Sequence, residues 1–490
     1  MFESAELGQK VSREKFHKEL APLRERLLRA QEKLAAGRFS TAVIISGVEG
    51  AGRTQFTNHL LEWLDPRRVE VHPLTEPSDE ERERPRFWKF WRQLPAKGRL
   101  GIFLGSWYTE PIVQRVFKDM GRNAFEVELD RIVEFETMLT REDVRLVKIW
   151  LHLSKKVQRK RFEELDSDKD TSWRVTKEDW KFHARYDRFR KASETAILKT
   201  STGQASWEII EAADWRFRDL ASARRVAQAL EEGAAESALL RPAPKPDRPK
   251  PSPNSLIRKL NLNRKVGEAE YELKLGKLQA HLARLMRKVR DKRRCVIFAF
   301  EGADAAGKGG TIRRLTQAMD ARDYRVISTA APTEEERKHP YLWRFWRDLP
   351  RLGRATLYDR SWYGRVLGER IEGFCRAEDW KRAYSEINAF EAQLAGFGTI
   401  IVKFWLAISS EEQLKRFKER EHVGYKHYKI TEEDWRNREK WSAYEAAATE
   451  MIERTSTPHA PWVLVEAENK QWARLKVLQS ACDALEAGLG

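Results

Sequence analysis

The sequence repeats its own pattern at a fixed offset of 255 positions. Residues 87–95 (FWKFWRQLP) match residues 342–350 (LWRFWRDLP), and the match continues without a gap from about residue 7 to residue 218 of the first copy. Of the 18 tryptophans, twelve form pairs at this offset. A repeat of this length arises when one structural unit is duplicated. The 490 residues therefore have to fold as two related domains.

A proline-rich stretch separates the two copies. Residues 241–253 carry a proline at nearly every second position. Such a segment forms neither helix nor strand ladder, which predicts an extended, semi-rigid linker. We predict an N-terminal domain over residues 1–235, a linker over 236–255 and a C-terminal domain over 256–490.

Within each copy, short apolar runs alternate with helical patterns. In the second copy, apolar residues recur at three- and four-residue spacing over 271–289, and another helical pattern begins at Thr311. The strand-like runs cover 295–300, 355–358, 399–406 and 462–465. Strands that alternate with helices form a parallel sheet covered on both faces. We predict an α/β fold for each copy, with a parallel sheet flanked by helices.

The amino-acid composition limits the kinds of partner and the class of protein that fit this chain. The 92 Lys and Arg residues exceed the 75 Asp and Glu residues, for a net charge of +17. This surplus predicts an anionic partner, which could be nucleic acid, a membrane surface or a phosphate-rich small molecule. Three widely spaced cysteines argue against a disulfide framework or a cysteine-based zinc site. No apolar run approaches the ~20 residues of a membrane span, and no signal-peptide pattern is present. We expect a cytoplasmic protein.

A glycine-rich loop follows the first strand-like run of the second copy. Gly302, Gly307 and Lys308 form a Gly-x4-Gly-Lys pattern between a strand and a helix, the setting in which backbone N–H groups, a helix N-terminus and a lysine hold phosphate. Taken alone, the loop could equally be a glycine turn with a solvated lysine. The predicted phosphate-binding positions are Gly302, Ala305, Ala306, Gly307, Gly309 and Gly310.

Two acidic residues accompany this loop. Asp359 ends the second strand-like run, where sheets of this kind hold Mg²⁺, and Asp304 lies inside the loop. Gly309 replaces the usual Ser or Thr, so Asp304 is the natural second carboxylate for the metal. Asp359 could instead cap the following helix. Two carboxylates beside Lys308, Arg360 and Arg365 favour phosphoryl transfer.

A basic segment with interleaved aromatic residues covers 415–440. In kinases with a phosphate loop, a basic helical hairpin at this place closes as a lid over the phosphates and excludes water. An exposed helix with ion pairs between successive turns would account for several of the same residues. The residues predicted to hold phosphate here are Lys415, Arg416, Arg420, Lys426 and Lys429. We therefore predict tandem P-loop kinase-like domains, each with a helical lid.

The first copy has lost most of these side chains. The counterparts are Arg53 for Lys308, Glu49 for Asp304, Leu104 for Asp359, Gly105 for Arg360, Glu110 for Arg365 and Leu165 for Arg420. A leucine cannot bind a metal ion. We therefore predict an inactive N-terminal copy and an active C-terminal one.

Three motifs of the second copy carry a family resemblance. The loop reads Gly-x-Asp-x-x-Gly-Lys-Gly over residues 302–309, the second strand ends in Asp-Arg-Ser-Trp-Tyr over 359–363, and Glu-Arg-Thr-Ser-Thr over 453–457 precedes Ala-Pro-Trp over 460–462. With these motifs the chain resembles the second family of polyphosphate kinases over both halves. For the two-copy form, the resemblance implies Mg²⁺-dependent transfer of the terminal phosphoryl group of inorganic polyphosphate to AMP, giving ADP.

The resemblance also implies roles for individual residues. Asp304 and Asp359 would bind Mg²⁺ and orient the attacking nucleotide phosphate. Lys308 and Arg360 would neutralise charge on the transferred group. Arg365 would contact the acceptor phosphate, and Arg420 would hold the polyphosphate chain together with the lid lysines. The implied partners are inorganic polyphosphate and AMP or ADP, with neither nucleic acid nor membrane, and a homo-oligomer is left open.

Two other functions compete with this interpretation. An ATP-dependent nucleotide kinase of P-loop fold would normally carry Ser or Thr at the position of Gly309. A non-catalytic protein that binds polyanions or nucleic acid would have no use for Asp304 and Asp359 inside a basic site. Both alternatives are therefore weaker than the phosphotransferase.

Overall fold

The computed structural model describes residues 1–239, 243–253, 255–421 and 432–490. Within these residues the chain forms ten strands in two five-stranded sheets, and every strand pair is parallel. No helix in this part of the chain is both long enough and apolar enough to cross a membrane. The prediction of a parallel sheet in each copy is confirmed.

The first sheet has the strand order β2-β3-β1-β4-β5. Its strands are β1 (Ser40–Gly47), β2 (Val69–Pro73), β3 (Leu100–Leu104), β4 (Val144–His152) and β5 (Trp207–Glu211). The helices of this half of the chain are α1 (Arg13–Ala36), α2 (Arg53–Trp63), α3 (Asp79–Arg82), α4 (Trp88–Arg92), α5 (Thr109–Phe117), α6 (Arg122–Arg141), α7 (Lys155–Ser167), α8 (Lys177–Ala184), α9 (Tyr186–Thr200) and α10 (Trp215–Ala238).

The second sheet repeats this order as β7-β8-β6-β9-β10. Its strands are β6 (Val296–Gly302), β7 (Tyr324–Ser328), β8 (Ala355–Asp359), β9 (Ile400–Ala407) and β10 (Trp462–Glu466). The helices of this half are α11 (Glu268–Asp291), α12 (Lys308–Thr316), α13 (Glu334–Arg337), α14 (Trp343–Arg347), α15 (Gly368–Glu372), α16 (Ala377–Gly396), α17 (Ser410–Glu421), α18 (Glu432–Glu439), α19 (Trp441–Thr455) and α20 (Lys470–Leu489).

The four strands predicted in the second copy are present, each within two residues of its predicted ends. The central strands β6 and β9 are buried along almost their whole length, which explains their continuous apolar sequence. The prediction missed β7 at the edge of the sheet. Its residues are exposed or only half-buried, so they show no apolar run.

The chain divides into two compact units that do not coincide with its two halves. Unit 1 comprises Met1–Glu76, Lys89–Leu240 and Pro332–Trp343, and unit 2 comprises Pro77–Trp88, Arg241–Ala331 and Arg344–Gly490. Within unit 1, the amide of Lys97 donates to the carbonyl of Lys338 over 2.8 Å. Within unit 2, Glu83 pairs with Arg293 at 2.9 Å and with Arg351 at 2.5 Å. Each half therefore lends a short segment to the other unit, which the sequence pattern did not indicate. The domain bounds 1–235, 236–255 and 256–490 stay predictions.

The proline-rich linker contacts unit 2. The carboxylate of Asp247 lies 2.7 Å from the buried guanidinium of Arg370 in α15, and the hydroxyl of Ser255 lies 2.7 Å from that of Thr449 in α19. Linker residues 247 and 255, which belong to unit 2, are thus held against its helices.

A fully buried ion pair supports the turn after β8. Lys403 of β9 donates over 2.7 Å to Glu391 of α16, and both side chains are inaccessible to solvent. Glu391 also accepts from the Tyr363 hydroxyl at 2.6 Å and from the Trp362 indole at 3.0 Å. Because Trp362 and Tyr363 belong to the Asp-Arg-Ser-Trp-Tyr motif, the ion pair holds this turn against α16 and β9.

Unit 1 contains the same arrangement. Lys148 lies 2.7 Å from Glu136, which accepts from the hydroxyl of Tyr108 at 2.5 Å and from the indole of Trp107 at 2.9 Å. All four residues match at the 255-residue offset. The support is present in both copies although their loops differ in sequence, which identifies it as part of the common framework.

Replacing either buried lysine should destabilise its unit. We expect Lys403→Met and Lys148→Met each to lower the free energy of unfolding by about 3–5 kcal/mol, because each leaves a buried carboxylate without its counter-charge. Denaturant unfolding followed by tryptophan fluorescence measures this. Lys403→Met combined with Glu391→Leu should recover only part of the loss, since it removes the unpaired charge but leaves Trp362, Tyr363 and the Thr455 carbonyl without these partners. A single Lys403→Met variant as stable as the wild type would contradict the interpretation.

Candidate active site

The register of the second sheet brings the two predicted phosphate-handling turns together. Phe300 of β6 pairs with Asp359 of β8, and Gly302 pairs with Leu406 of β9. The loop after β6 and the turn after β8 therefore leave the same edge of the sheet, at the carboxyl ends of its strands. Open α/β sheets bind ligands in this position, where the strand order reverses.

The loop needs its glycines for two different reasons. A Cβ on Gly302 would lie 2.4 Å from the carbonyl oxygen of Leu406, so no side chain fits there. Gly307 precedes α12 with φ = +105°, a conformation that other residues rarely adopt. The turn delivers the chain into α12, whose first residue is Lys308. The buried ammonium of Lys308 donates to the carbonyl of Gly302 at 2.8 Å and to that of Ala303 at 3.2 Å.

Asp304 is bound through both of its carboxylate oxygens. Oδ1 accepts from Nη2 of Arg360 at 2.7 Å, and Oδ2 accepts from Nδ2 of Asn437 in α18 at 2.9 Å. Burial raises the pKa of Asp304, but the charges of Lys308 and Arg360 and the hydrogen bond from Asn437 outweigh burial and hold the pKa below its usual value. Asp304 is therefore an ionised carboxylate enclosed by donors.

Asp359 ends β8 and faces the first turn of α12. Its Oδ2 lies 3.8 Å from the place that a Cβ on Gly309 would take. A Ser or Thr side chain at position 309 would thus lie close to the same carboxylate. Arg360 follows with φ = +62°, a left-handed conformation uncommon for a residue with a side chain.

The donor set suits Mg²⁺. This ion prefers oxygen ligands and usually takes one or two carboxylates, with water and substrate phosphates completing its octahedron. Asp304 and Asp359 provide two carboxylates at one edge of the sheet. Within the described residues, no group of three or more His, Cys, Asp or Glu side chains forms a closed metal cage. The pattern fits a metal that is shared with a phosphate substrate.

Arg416 differs from its predicted role. Its guanidinium is buried and donates to four backbone carbonyls, those of Ala305, Ala306, Ala467 and Glu468, at 2.7–3.2 Å. Its Nε donates to Glu412 at 2.7 Å. With its N–H groups engaged inside the protein, Arg416 supports the phosphate loop from behind and is not placed to bind phosphate. The equivalent Arg161 does the same in unit 1, where it donates to the carbonyls of Gly50, Ala212 and Ala213.

The remaining predicted residues lie in different surroundings. Arg365 ends a 3-10 helix (Trp362–Arg365) and pairs with Glu369 at 2.9 Å. Arg420 lies near the end of α17, where burial lowers the pKa of its guanidinium and the charges of Asp434 and Asp304 oppose that shift. Lys415 on the same helix is exposed, 4.0 Å from Glu412.

The other predicted phosphate-binding residues fall into two groups. Ala305, Ala306 and Gly310 lie in the loop and the first turn of α12. Lys426 and Lys429 fall outside the described residues.

Sequence reasoning missed a buried acid that joins the two turns. Glu301, the residue before the loop, accepts from the backbone N–H of Ser361 at 2.7 Å and from its hydroxyl at 2.8 Å. Burial raises the pKa of this carboxyl group, while Ser361 and the neighbouring Lys308 favour its charged form. The counterpart of Glu301 in the first copy is Ser46. Comparing the two copies at this position could therefore have indicated a role for the acid.

In unit 1 the charged residues of the corresponding loop pair with each other. Glu49 and Arg53, the counterparts of Asp304 and Lys308, form an ion pair at 2.5 Å. The guanidinium of Arg218 fills the space that a Cβ on Gly52 would need, and it donates to the carbonyl of Ala51 at 3.1 Å. In unit 2 a Cβ on Gly307, the equivalent of Gly52, would meet no atom within 4 Å. The two loops therefore differ in their charges and in the space left free beside the second glycine.

Comparison with known proteins agrees with the duplication. The family model for polyphosphate kinase 2 (PPK2) matches residues 10–238 and again residues 265–489. The chain is 47% identical to a polyphosphate:AMP phosphotransferase of Pseudomonas aeruginosa over 99% of both chains. It is 44% identical to the protein of that name from Pseudomonas syringae pv. tomato, over 99% of this chain and 98% of the other.

Solved structures give the same result. A crystal structure from Pseudomonas aeruginosa ascribed to polyphosphate kinase 2 superimposes with a TM-score of 0.89 and 45% identity, covering 100% of this chain and 99% of the other. The family match over both halves, the full-length identity and the shared fold have one explanation. The chain belongs to the polyphosphate kinase 2 family.

Proposed function

We propose that this protein transfers the terminal phosphoryl group of inorganic polyphosphate to AMP, giving ADP, in a Mg²⁺-dependent reaction carried out by unit 2. The observation that carries the proposal is the placement of two carboxylates, Asp304 and Asp359, and two cations, Lys308 and Arg360, around one phosphate loop. The full-length similarity to proteins named polyphosphate:AMP phosphotransferase supports the choice of donor and acceptor.

The reaction needs no nucleophile from the protein. An oxygen of the AMP phosphate attacks the terminal phosphorus of polyphosphate, the bridging P–O bond breaks, and a chain shorter by one phosphate leaves. The transition state of such a transfer is loose, with negative charge spread over the transferred group. Catalysis therefore depends on positioning and on cations at the points where charge develops.

The residues of unit 2 divide this work. Asp304 and Asp359 would hold Mg²⁺, which would supply positive charge to the reacting phosphates. Lys308, now held against the loop carbonyls, would turn toward the transferred group, and Arg360 would lie on its other side. Arg365 would contact the acceptor phosphate. Arg420 and the lid lysines 415, 426 and 429 would hold the polyphosphate chain.

The same reasoning assigns unit 1 a non-catalytic role. Leu104 replaces Asp359, and the Glu49–Arg53 ion pair satisfies the two remaining charges of the loop. A metal ion there would find one carboxylate, and that one is already paired. Unit 1 thus offers an internal control for every substitution in unit 2.

The decisive variant removes the carboxylate of Asp359. We expect Asp359→Ala to reduce ADP formation from AMP, Mg²⁺ and long-chain polyphosphate by at least 10²-fold, a typical loss when charge stabilisation at the reacting group is removed. Leu104→Ala, the matched change in unit 1, should leave the rate within twofold of wild type. A wild-type protein that makes no ADP, or an Asp359→Ala variant with full activity, would refute the proposal.

A second pair of variants tests the support that Arg416 gives to the phosphate loop. Lysine cannot reproduce the planar fork that donates to four carbonyls, so Arg416→Lys should lower the melting temperature and reduce ADP formation by about tenfold or more. Arg161→Lys should lower the melting temperature similarly and leave the rate unchanged. Equal loss of activity in both variants would mean that loop support in unit 1 also serves the reaction.

A further inference from the structure

A chain of polar side chains leads from Asp304 into the helices behind the active site. Nδ2 of Asn437 donates to Oδ2 of Asp304 at 2.9 Å, and Oδ1 of Asn437 lies 3.1 Å from the hydroxyl of Tyr444. That hydroxyl lies 3.4 Å from Glu372, which is paired with Lys440. The four residues come from α15, α18, α19 and the turn between the last two helices.

This arrangement fixes the direction of the Asn437 amide. The Tyr444 hydroxyl can donate to the amide oxygen, whereas Asp304 can only accept, so the nitrogen has to face Asp304. Burial, reinforced by the charge of Glu372, raises the pKa of Tyr444, which keeps its proton available for donation. Without that hydroxyl, the amide oxygen of Asn437 would lose the donor that holds its side of the group, and only Asp304 would fix the amide.

Unit 1 shows that the fold does not require these polar residues. Their counterparts are Phe182 for Asn437, Phe189 for Tyr444, Phe117 for Glu372 and Arg185 for Lys440. The rings of Phe117 and Phe182 meet edge to face at 5.3 Å, those of Phe182 and Phe189 at 6.2 Å, and Arg185 lies over Phe117 at 4.7 Å. The same helices therefore pack around an apolar cluster in the copy that lacks Asp304 and Asp359.

Burying polar groups is costly compared with this apolar solution. In unit 2 these polar side chains are half-buried, and one of them, Asn437, contacts the loop carboxylate. The Tyr444 hydroxyl has one proton, and the Asn437 amide oxygen at 3.1 Å is nearer to it than Glu372 at 3.4 Å. We propose that Asn437 is a positioning residue, which orients the carboxylate of Asp304 toward its metal, and that the Tyr444 hydroxyl holds Asn437 in its donating orientation. This inference rests on the proposed function of the same site.

The geometry explains how such positioning acts. Arg360 engages one oxygen of Asp304 and Asn437 engages the other, so the carboxylate plane is fixed from both sides. Each carboxylate oxygen keeps a further lone pair for a cation. Because Asn437 lies on α18, inside the basic segment 415–440, and Tyr444 on α19, these two helices would set the direction of that lone pair.

The test is a double-mutant cycle in the full-length protein. Tyr444→Phe removes one hydroxyl and reproduces Phe189. Asn437→Leu removes the amide. We expect Tyr444→Phe to lower kcat for ADP formation about fivefold to tenfold and Asn437→Leu at least tenfold, with KM for AMP within twofold of wild type. The double variant should resemble Asn437→Leu alone, because the hydroxyl acts only through the amide.

A second measurement does not depend on turnover. Electron paramagnetic resonance of free Mn²⁺, titrated with protein and ADP, reports metal affinity directly, and we expect Tyr444→Phe and Asn437→Leu each to weaken it at least threefold. Phe182→Leu is the matched control, which introduces the same residue at the equivalent position of unit 1, and should change neither kcat nor Mn²⁺ affinity.

Several outcomes would overturn the inference. They are additive effects of the two substitutions, Mn²⁺ affinities equal to wild type in both single variants, or losses in Phe182→Leu as large as those in Asn437→Leu. A wild-type protein that binds Mn²⁺ with ADP but forms no ADP from AMP and polyphosphate would refute the proposed function alone, and the Mn²⁺ titrations would still decide the role of Asn437.

Discussion

The buried pair of Lys403 and Glu391 underlies the position of everything at the active edge of unit 2. A charge pair without access to water is stable only if its remaining hydrogen bonds are satisfied. Here those bonds come from Trp362, Tyr363 and the carbonyl of Thr455. The requirement fixes the turn after β8 against its neighbours, and with the turn the backbone that carries Asp359 and Arg360.

The two copies separate framework from chemistry. Both retain the buried lysine–glutamate pair and the arginine that holds the loop carbonyls from behind. They differ where groups face the loop. A carboxylate, an amide and a phenol in unit 2 become three phenylalanines in unit 1. The first set therefore serves the fold that both copies share, whereas the second set is present only in the copy that has Asp304 and Asp359.

The sequence was sufficient to predict the buried strands, the phosphate loop and the family, because each depends on local signals. Buried parallel strands need apolar runs, and the loop needs glycine at Gly302 and Gly307 for reasons of space and backbone angle. It was insufficient where a role depends on which partner a side chain finds. Arg416 is of the residue type that binds phosphate, but its N–H groups donate to backbone carbonyls instead. Asn437 and Tyr444 show no motif, and only their replacement by phenylalanine at the 255-residue offset distinguishes them.

The exchange of segments 77–88 and 332–343 has a consequence for the history of the chain. Glu83, in the first half of the sequence, belongs to the unit that holds the phosphate loop, and it pairs there with Arg293 and Arg351. A deletion that removed the first half would take this piece of unit 2 with it. The first half of the chain thus contributes structure to the unit that holds the phosphate loop, which gives the two copies a reason to remain together in one chain.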